Sequence, residues 1–319
     1  MKYGTINGLE KPVSRLIQGT ARFTELGDED SFALMDASLE AGLTTFDSAR
    51  HYGNSELIIA RWMQARGISP EQLVLLTKGA HPVAGVTRVT PKDITTDLME
   101  SLERLNVDVI DLYVLHRDDP DVPVGEIVDV LNEHHRAGRI KAFGGSNWMV
   151  ERVQAANAYA TEHNLTPFTM SSPNYSLAEQ VKPPWEGCIS ISGEQNADAR
   201  AWYAAQNMAL ITWSSGAGGF FSGRFTRDNL DTFSSDWDAV AILAYAYEAN
   251  FQRLERAQKM ATEKGVTVFQ IALAYVMNQV NLNIFAITGG CTAAEIQANV
   301  TALELTLSPE ECSWLNTGA

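Results

Sequence analysis

The stretch LVLLTKGAHPVAGVTRVTPKDITTDLMESLERLNVDVIDLYVLH, residues 73–116, reads as strand, helix and strand in that order. Leu73–Lys78 and Val109–His116 are short apolar runs, each closing on an ionisable residue. Between them, Thr90-Pro91 sets a capping hydroxyl before a proline at the first helical position, and the amphipathic segment Pro91–Leu105 follows. A helix carrying the chain from one strand to the next argues for parallel strands, since parallel neighbours need such a crossover.

The same unit recurs in both directions. Further candidate strands are Arg15–Gln18, Thr44–Asp47, Ile140–Gly144, Phe168–Ser171, Ala209–Trp213 and Asn283–Ile287. Candidate helices are Asp30–Ala41, Ser55–Arg66, Pro123–Ala137 and Met149–His163, and Ala41-Gly42 and Ala137-Gly138 provide left-handed stops. Eight strands alternating with helices, with no strand-only stretch, predict an α/β fold, a (β/α)8 TIM barrel. Asn7-Gly8 between Lys2–Ile6 and Leu9–Pro12 predicts an N-terminal β-hairpin. Two irregular stretches, Asn174–Gly193 and Ser214–Asp238, follow the sixth and seventh barrel strands, on the face where barrel sites form. Residues 1–319 are expected to form one barrel domain.

Composition bounds the partners. The 39 acidic residues against 24 basic ones give a formal net charge of −15, a field that repels phosphate backbones and anionic membranes. Nucleic acid and membrane are therefore not expected partners, a small molecule is, and homo-oligomerisation stays open. Cys188, Cys291 and Cys312 are widely spaced and form no CxxC, which fits reduced thiols in the cytoplasm. MKYGTINGLEKPVSRL lacks the apolar core of a signal peptide. Glu133-His134-His135 has no zinc spacing and reads as a solvated helix face, and GGFFSGR (218–224) lacks the Lys-Ser/Thr ending of a phosphate loop. Trp62 with Ile58 and Ile59, and the stripe Ile271, Ala274, Tyr275 and Asn278, read as packing.

Four residues carry the chemistry. Asp47 closes TTFD, Tyr52 follows in SARHYGNSE, Lys78 closes LVLLTK and His116 closes DLYVLH. Strand ends of a barrel converge on one mouth, so residues scattered in sequence meet there. A tyrosine with an ordinary pKa of about 10 is a weak acid, and a neighbouring ammonium eases loss of its proton. A carboxylate would hold that ammonium, and a histidine would orient a carbonyl oxygen. The set suits proton donation to an alkoxide formed as hydride arrives.

The chain resembles the aldo-keto reductase family over nearly its whole length. The stretches that carry the resemblance are Gly19-Thr20, TTFDSARHYGNSE (44–56), TKGA (77–80), DLYVLHRDDP (111–120), GGSNW (144–148), WSSGAGGFFSGRF (213–225) and ITGG…N (287–299). The resemblance implies hydride transfer between a nicotinamide dinucleotide, NAD or NADP, and a carbonyl or alcohol, without a metal. It makes Asp47, Tyr52, Lys78 and His116 the catalytic set, with Tyr52 the acid for reduction and the base for oxidation. Gly19, Thr20 and Asp47 fall in the cofactor region. Ser146 and Asn147 match the pair that binds the nicotinamide carboxamide. Trp213 falls where an aromatic, more often tyrosine, stacks on the nicotinamide. Ser214, Gly216, Gly219 and Arg224 match the loop over the pyrophosphate, and Gly289, Gly290, Glu295 and Asn299 the segment at the adenosine end.

Two departures stand out. Ser172 replaces the family's usual glutamine, three residues before the tyrosine in SSPNYS. Gly289, Gly290, Cys291 and Glu295 stand where NADP-preferring relatives tend to carry Lys or Arg, which favours NAD, because a carboxylate repels a 2′-phosphate but accepts ribose hydroxyls. On the substrate side, Phe23, Arg50, His51, His81, Arg117, Trp148 and Pro183–Trp185 lie just past strand ends. This mixture of polar donors and an aromatic suits a sugar, a polyol or a keto-sugar derivative; Arg117 has an alternative pairing with Asp118 or Asp119. Two rival functions are a Schiff-base aldolase using Lys78, and a cofactor-binding regulatory subunit without turnover.

Overall fold

The computed structural model describes residues 1–319. Two short strands, β1 (Tyr3–Gly4) and β2 (Val13–Ser14), pair antiparallel. Eight strands follow: β3 (Leu16–Gly19), β4 (Thr45–Asp47), β5 (Val74–Gly79), β6 (Ile110–Leu115), β7 (Ile140–Ser146), β8 (Met170–Ser172), β9 (Ala209–Thr212) and β10 (Asn283–Thr288). They close into a parallel barrel in the order β10-β3-β4-β5-β6-β7-β8-β9, with helices between them. The predicted (β/α)8 architecture is the observed one.

Local signals account for much of this. Helices Ser55–Arg66 and Pro91–Leu105 have the expected bounds, and the Thr90 hydroxyl accepts the Asp93 N–H. Val124–Arg136 and Val150–Glu162 are one residue shorter at each end than expected. The first helix starts earlier, at Phe23, but Gly27 (φ 78°, ψ 179°) interrupts it, so its continuous part begins at Asp28, two residues before the expected Asp30.

Three expectations need correction. The N-terminal hairpin forms and its first strand lies within the expected Lys2–Ile6 arm, but Tyr3 and Gly4 pair with Ser14 and Val13, just beyond the expected second arm Leu9–Pro12. Asn7-Gly8 still turns the chain, with Leu9 N–H on the Ile6 carbonyl. The second arm is held elsewhere: Lys11 donates to the Pro70 and Leu73 carbonyls at 3.0 and 2.8 Å and pairs with Asp111 at 2.9 Å. His134 is 4% exposed rather than solvated, because its Nε2 meets the Thr95 hydroxyl at 2.9 Å on the neighbouring helix. Asn278 caps rather than packs: its amide donates to the Ala274 and Leu305 carbonyls, whereas Ile271, Ala274 and Tyr275 are buried as expected.

The chain divides into two compact units, Met1–Ser172 with Gly289–Ala293, and Pro173–Thr288 with Ala294–Ala319. The first has a continuous apolar interior in which Trp62, fully buried, lies 5.2 Å from Phe46. In the second, β9 and β10 pair in parallel, Asn283 opposite Ala209 through Ala286 opposite Thr212. Its two long loops are irregular as expected, although the second contains 3-10 turns at Ala217–Ser222 and Leu230–Thr232 and ends in a helix from Asp236, capped by Ser235.

Candidate active site

The strands of the first unit bring Asp47, Tyr52, Lys78 and His116 together. Asp47 ends β4 opposite Leu76, Lys78 lies opposite Val114, and His116 directly follows β6. Backbone bonds continue the ladder past the strand ends: Arg50 N–H to the Lys78 carbonyl at 2.9 Å and His116 N–H to the Gly79 carbonyl at 2.8 Å. Side chains alternate in direction along a strand, so Thr77 and Lys78 face opposite ways. Thr77 is held by the fully buried Glu56, which also takes Arg104, and this fixes the direction of its neighbour.

Lys78 Nζ pairs with the Asp47 carboxylate, donates to the Ser48 carbonyl at 2.9 Å and lies 5.1 Å from the centre of the Tyr52 ring. It is also within hydrogen-bonding reach of the Tyr52 hydroxyl. Burial alone would lower the Lys78 pKa, but the Asp47 and Tyr52 oxygens lift it above the ordinary lysine value. Burial raises Asp47 against the pull of Lys78, and the proton stays on the amine. Tyr52 is also raised, because burial outweighs Lys78; the ammonium moderates the phenol without inverting its acidity. His116 is held well below its ordinary value by burial and by Lys78 and its other neighbours, so it is a neutral imidazole at pH 7. Its Nδ1 is buried with no hydrogen-bond partner.

Next to this group the first unit gathers three polar side chains. The Ser146 hydroxyl donates to the Ser172 carbonyl at 2.8 Å, and the Asn147 amide reaches Ser146 Oγ at 3.1 Å and the His116 carbonyl at 3.4 Å. Asn147 is held in the left-handed region at φ 59°. The Ser172 hydroxyl is buried and unpartnered. A buried orphan beside two amide- and hydroxyl-bearing neighbours fits a carboxamide that would satisfy it. Thr20 faces inward, its hydroxyl on the Asp47 carbonyl at 2.9 Å, and so braces β4 next to Gly19. Gly289 has open space where a side chain would stand.

The second unit holds the other candidate cofactor residues. Trp213 is half-buried, with its indole N–H unpartnered and its ring 6.4 Å from Trp185. Ser214, Ala217, Gly218 and Gly219 all have positive φ, which winds the loop tightly; a side chain at Gly216 would strike Phe269. Arg224 pairs with Asp238 and lies 4.7 Å over Phe225 and 5.2 Å over Phe233. Glu295 is in the first turn of helix Ala293–Ala302, and Asn299 is buried one turn on.

The sequence model of the aldo/keto reductase family matches residues 15–317. This chain belongs to the aldo/keto reductase family. Among individual proteins it is 28% identical over 333 residues to the uncharacterized oxidoreductase YrpG of Bacillus subtilis, covering 99% of this chain and 95% of that one. It is 27% identical over 302 residues to a probable voltage-gated potassium channel subunit beta of Oryza sativa subsp. japonica, covering 90% and 86%. The thermostable aldo-keto reductase Tm1743, crystallised with epalrestat, shares the fold with a TM-score of 0.72 at 19% identity over the whole of both chains. As a member of the aldo/keto reductase family, the protein is an NAD(P)H-dependent oxidoreductase of small-molecule carbonyls. No helix is long and apolar enough to cross a membrane.

Within this aldo/keto reductase, the substrate candidates fall into two groups. Phe23 and Trp148 are buried, at 2% and 1% exposure, and the Trp148 indole donates to the Arg117 carbonyl while its ring lies against Phe168. Arg117 donates to the His116 carbonyl at 2.8 Å, while Asp118 is taken by Arg152. His51 and His81 lie beside Tyr52 and His116, and Trp185 is exposed. Sequence reading gave no role to Glu56 or to Asp97, which accepts the Ala80 N–H at 2.8 Å and pairs with Arg88. The signal for both was an acid at a helix position that otherwise fits the buried face, as with Asp97 beside Ile94, Leu98 and Ser101.

Proposed function

We propose that the protein moves hydride between NAD(P)H and a carbonyl or alcohol of a hydroxylated substrate, a sugar, a polyol or a keto derivative, with Tyr52 as the proton carrier. The observation that carries this reading is the chain Asp47–Lys78–Tyr52, a buried ion pair set against the half-buried Tyr52.

When bound, the nicotinamide supplies hydride to the carbonyl carbon or takes it from the alcohol. The chain's own residues manage the proton and the developing charge. Tyr52, protonated at neutral pH, donates its phenolic proton to the carbonyl oxygen as that oxygen becomes an alkoxide. Lys78 stabilises the phenolate left behind, and Asp47 keeps Lys78 charged and in place. His116 is neutral and acts as a hydrogen-bond partner of the carbonyl oxygen, without releasing a proton. In oxidation the same tyrosine accepts the proton.

Ser146, Asn147 and Ser172 would hold the carboxamide, and Trp213 would stack on the nicotinamide. Ser214, Gly216, Gly219 and Arg224 would cover the pyrophosphate, and Gly289, Gly290, Glu295 and Asn299 would meet the adenosine end. Glu295 favours NAD(H), since its carboxylate repels a 2′-phosphate. On this reading residues 1–319 work as one cytoplasmic catalytic domain.

The test is a screen of NADH and NADPH oxidation across apolar aldehydes, keto-sugars and keto-glycosides. Turnover of keto-sugars with NADH supports the reading, and turnover of apolar aldehydes alone removes the sugar assignment. The likeness to a channel β subunit keeps a second reading, a cofactor-binding regulatory subunit, which a complete absence of turnover would favour.

A further inference from the structure

Two histidines outside the Asp47, Tyr52, Lys78 and His116 group stand against it. The rings of His51 and His81 stack in parallel, 3.6 Å apart and 14° from coplanar. Both meet His116 nearly edge to face, at 4.5 and 5.0 Å, and His51 lies 4.7 Å from the Tyr52 ring. His51 keeps an exposed face and His81 is half-buried, so the stack forms a wall that a substrate can touch.

The stack is built, since helix Pro91–Leu105 grips both loops that carry it. Asp97 accepts the Ala80 N–H at 2.8 Å, which holds Ala80 in the left-handed region (φ 59°) and turns His81 back toward His51. Three residues along the same helix, Glu100 pairs with Arg50, the neighbour of His51, and Arg50 also lies 3.7 Å from Asp97. The Arg50 N–H meanwhile binds the Lys78 carbonyl.

Hydrogen bonding fixes what the wall offers. His81 Nδ1 lies 2.9 Å from the Pro82 carbonyl, which can only accept, so Nδ1 carries the proton. Nε2 of the neutral ring is then a bare acceptor. Burial first, then His81 and the Lys78, Arg117 and Arg50 charges, lower His51 to about 3 and keep it neutral, and burial lowers His81 as well. An acceptor of this kind selects a ligand that donates.

We propose that the stacked His51–His81 pair is the specificity-determining wall of the site, with His81 Nε2 accepting a hydrogen bond from a substrate hydroxyl next to the reacting carbonyl. This rests on the carbonyl-reductase reading above. The test compares three aldehydes of similar size under one cofactor: 2-hydroxypropanal, which donates; 2-methoxypropanal, which only accepts; and propanal, which does neither. Wild-type kcat/KM is expected to favour the hydroxy aldehyde over both others by about tenfold, the worth of one net hydrogen bond. In His81→Phe, which keeps the ring and removes its nitrogens, the ratio of kcat/KM for the hydroxy aldehyde to that for propanal is expected to fall to about one, because only the hydroxy aldehyde loses a hydrogen bond.

A wild type that prefers the hydroxy aldehyde and a His81→Phe variant that keeps the preference would overturn the inference and leave the reductase reading standing. Equal loss on propanal would mean a general role for His81 and would also overturn it. A wild type that favours methoxy or propanal would overturn it without any variant, and so without dependence on how the variant folds. No turnover of any of the three with either cofactor would remove both readings.

Discussion

Lys78 and Asp47 form an ion pair with side chains only 4% and 5% exposed, at the ends of adjacent parallel strands. Charges this deep lose much hydration and are held by their partners: the amine also has the Ser48 carbonyl and the reach of the Tyr52 hydroxyl.

Lys78→Met should therefore destabilise the fold by about 3–5 kcal/mol, because it strands a buried carboxylate. The double variant Lys78→Met/Asp47→Leu should recover part of that loss, and neither should turn over substrate. Urea midpoints of the wild type, Lys78→Met, Asp47→Leu and the double variant measure the coupling. Additive losses would mean that the pair does not act as a unit.

Tyr52→Phe removes one hydroxyl and leaves Ser146, Asn147 and Ser172, the residues proposed to hold the nicotinamide carboxamide, in place. Turnover should fall by about 10²- to 10⁴-fold, the usual worth of a positioned proton donor. NADH affinity, followed by protein fluorescence, should stay within about twofold, since no cofactor bond is lost. In the wild type, reduction should not titrate on the phenol at neutral pH, because Tyr52 is raised above its ordinary value of 10.0. A break in kcat/KM near pH 7 that disappears in Tyr52→Phe would contradict this.

His116 couples the site to acid stability. Its pKa lies well below the unfolded value of 6.5, so below pH 6.5 the unfolded chain takes up a proton that the folded one refuses. Stability from this residue is full above pH 6.5 and is lost as pH falls toward the folded value. The loss amounts to roughly 1.5 kcal/mol between pH 6.5 and 5. His116→Asn should flatten the denaturation midpoint over that window by this amount. Parallel pH profiles for the two proteins would show that the imidazole is charged in the fold.

Asp97→Ala should cost about 3 kcal/mol, since it leaves Arg88 and the buried Ala80 N–H without their acceptor. Because Asp97 positions the His81 loop, KM for a hydroxylated substrate should rise more than kcat falls. Thermal denaturation together with kinetics separates the two effects, and an unchanged KM beside a lowered Tm would leave Asp97 a purely structural residue.

Much of this protein was legible from its chain. Alternating apolar runs and capped amphipathic helices determined the barrel, because strand and helix periodicities and the Thr90-Pro91 cap are local properties of neighbouring residues. The motif-bearing residues Asp47, Tyr52, Lys78 and His116 were recognisable for the same reason, Asp47, Lys78 and His116 at or just past the ends of readable strands and Tyr52 in the loop after Asp47. Tertiary structure alone decided the rest. The partner of Lys11, the burial of His134, the grip of Asp97 on Ala80 and the stacking of His51 on His81 all join residues distant in sequence. It also set the state of Tyr52: the sequence suggested an ammonium that eases loss of the phenol proton, but desolvation of Tyr52 outweighs that pull and holds the proton on the phenol oxygen. Desolvation depends on everything packed around a group, and no local pattern in a sequence encodes it.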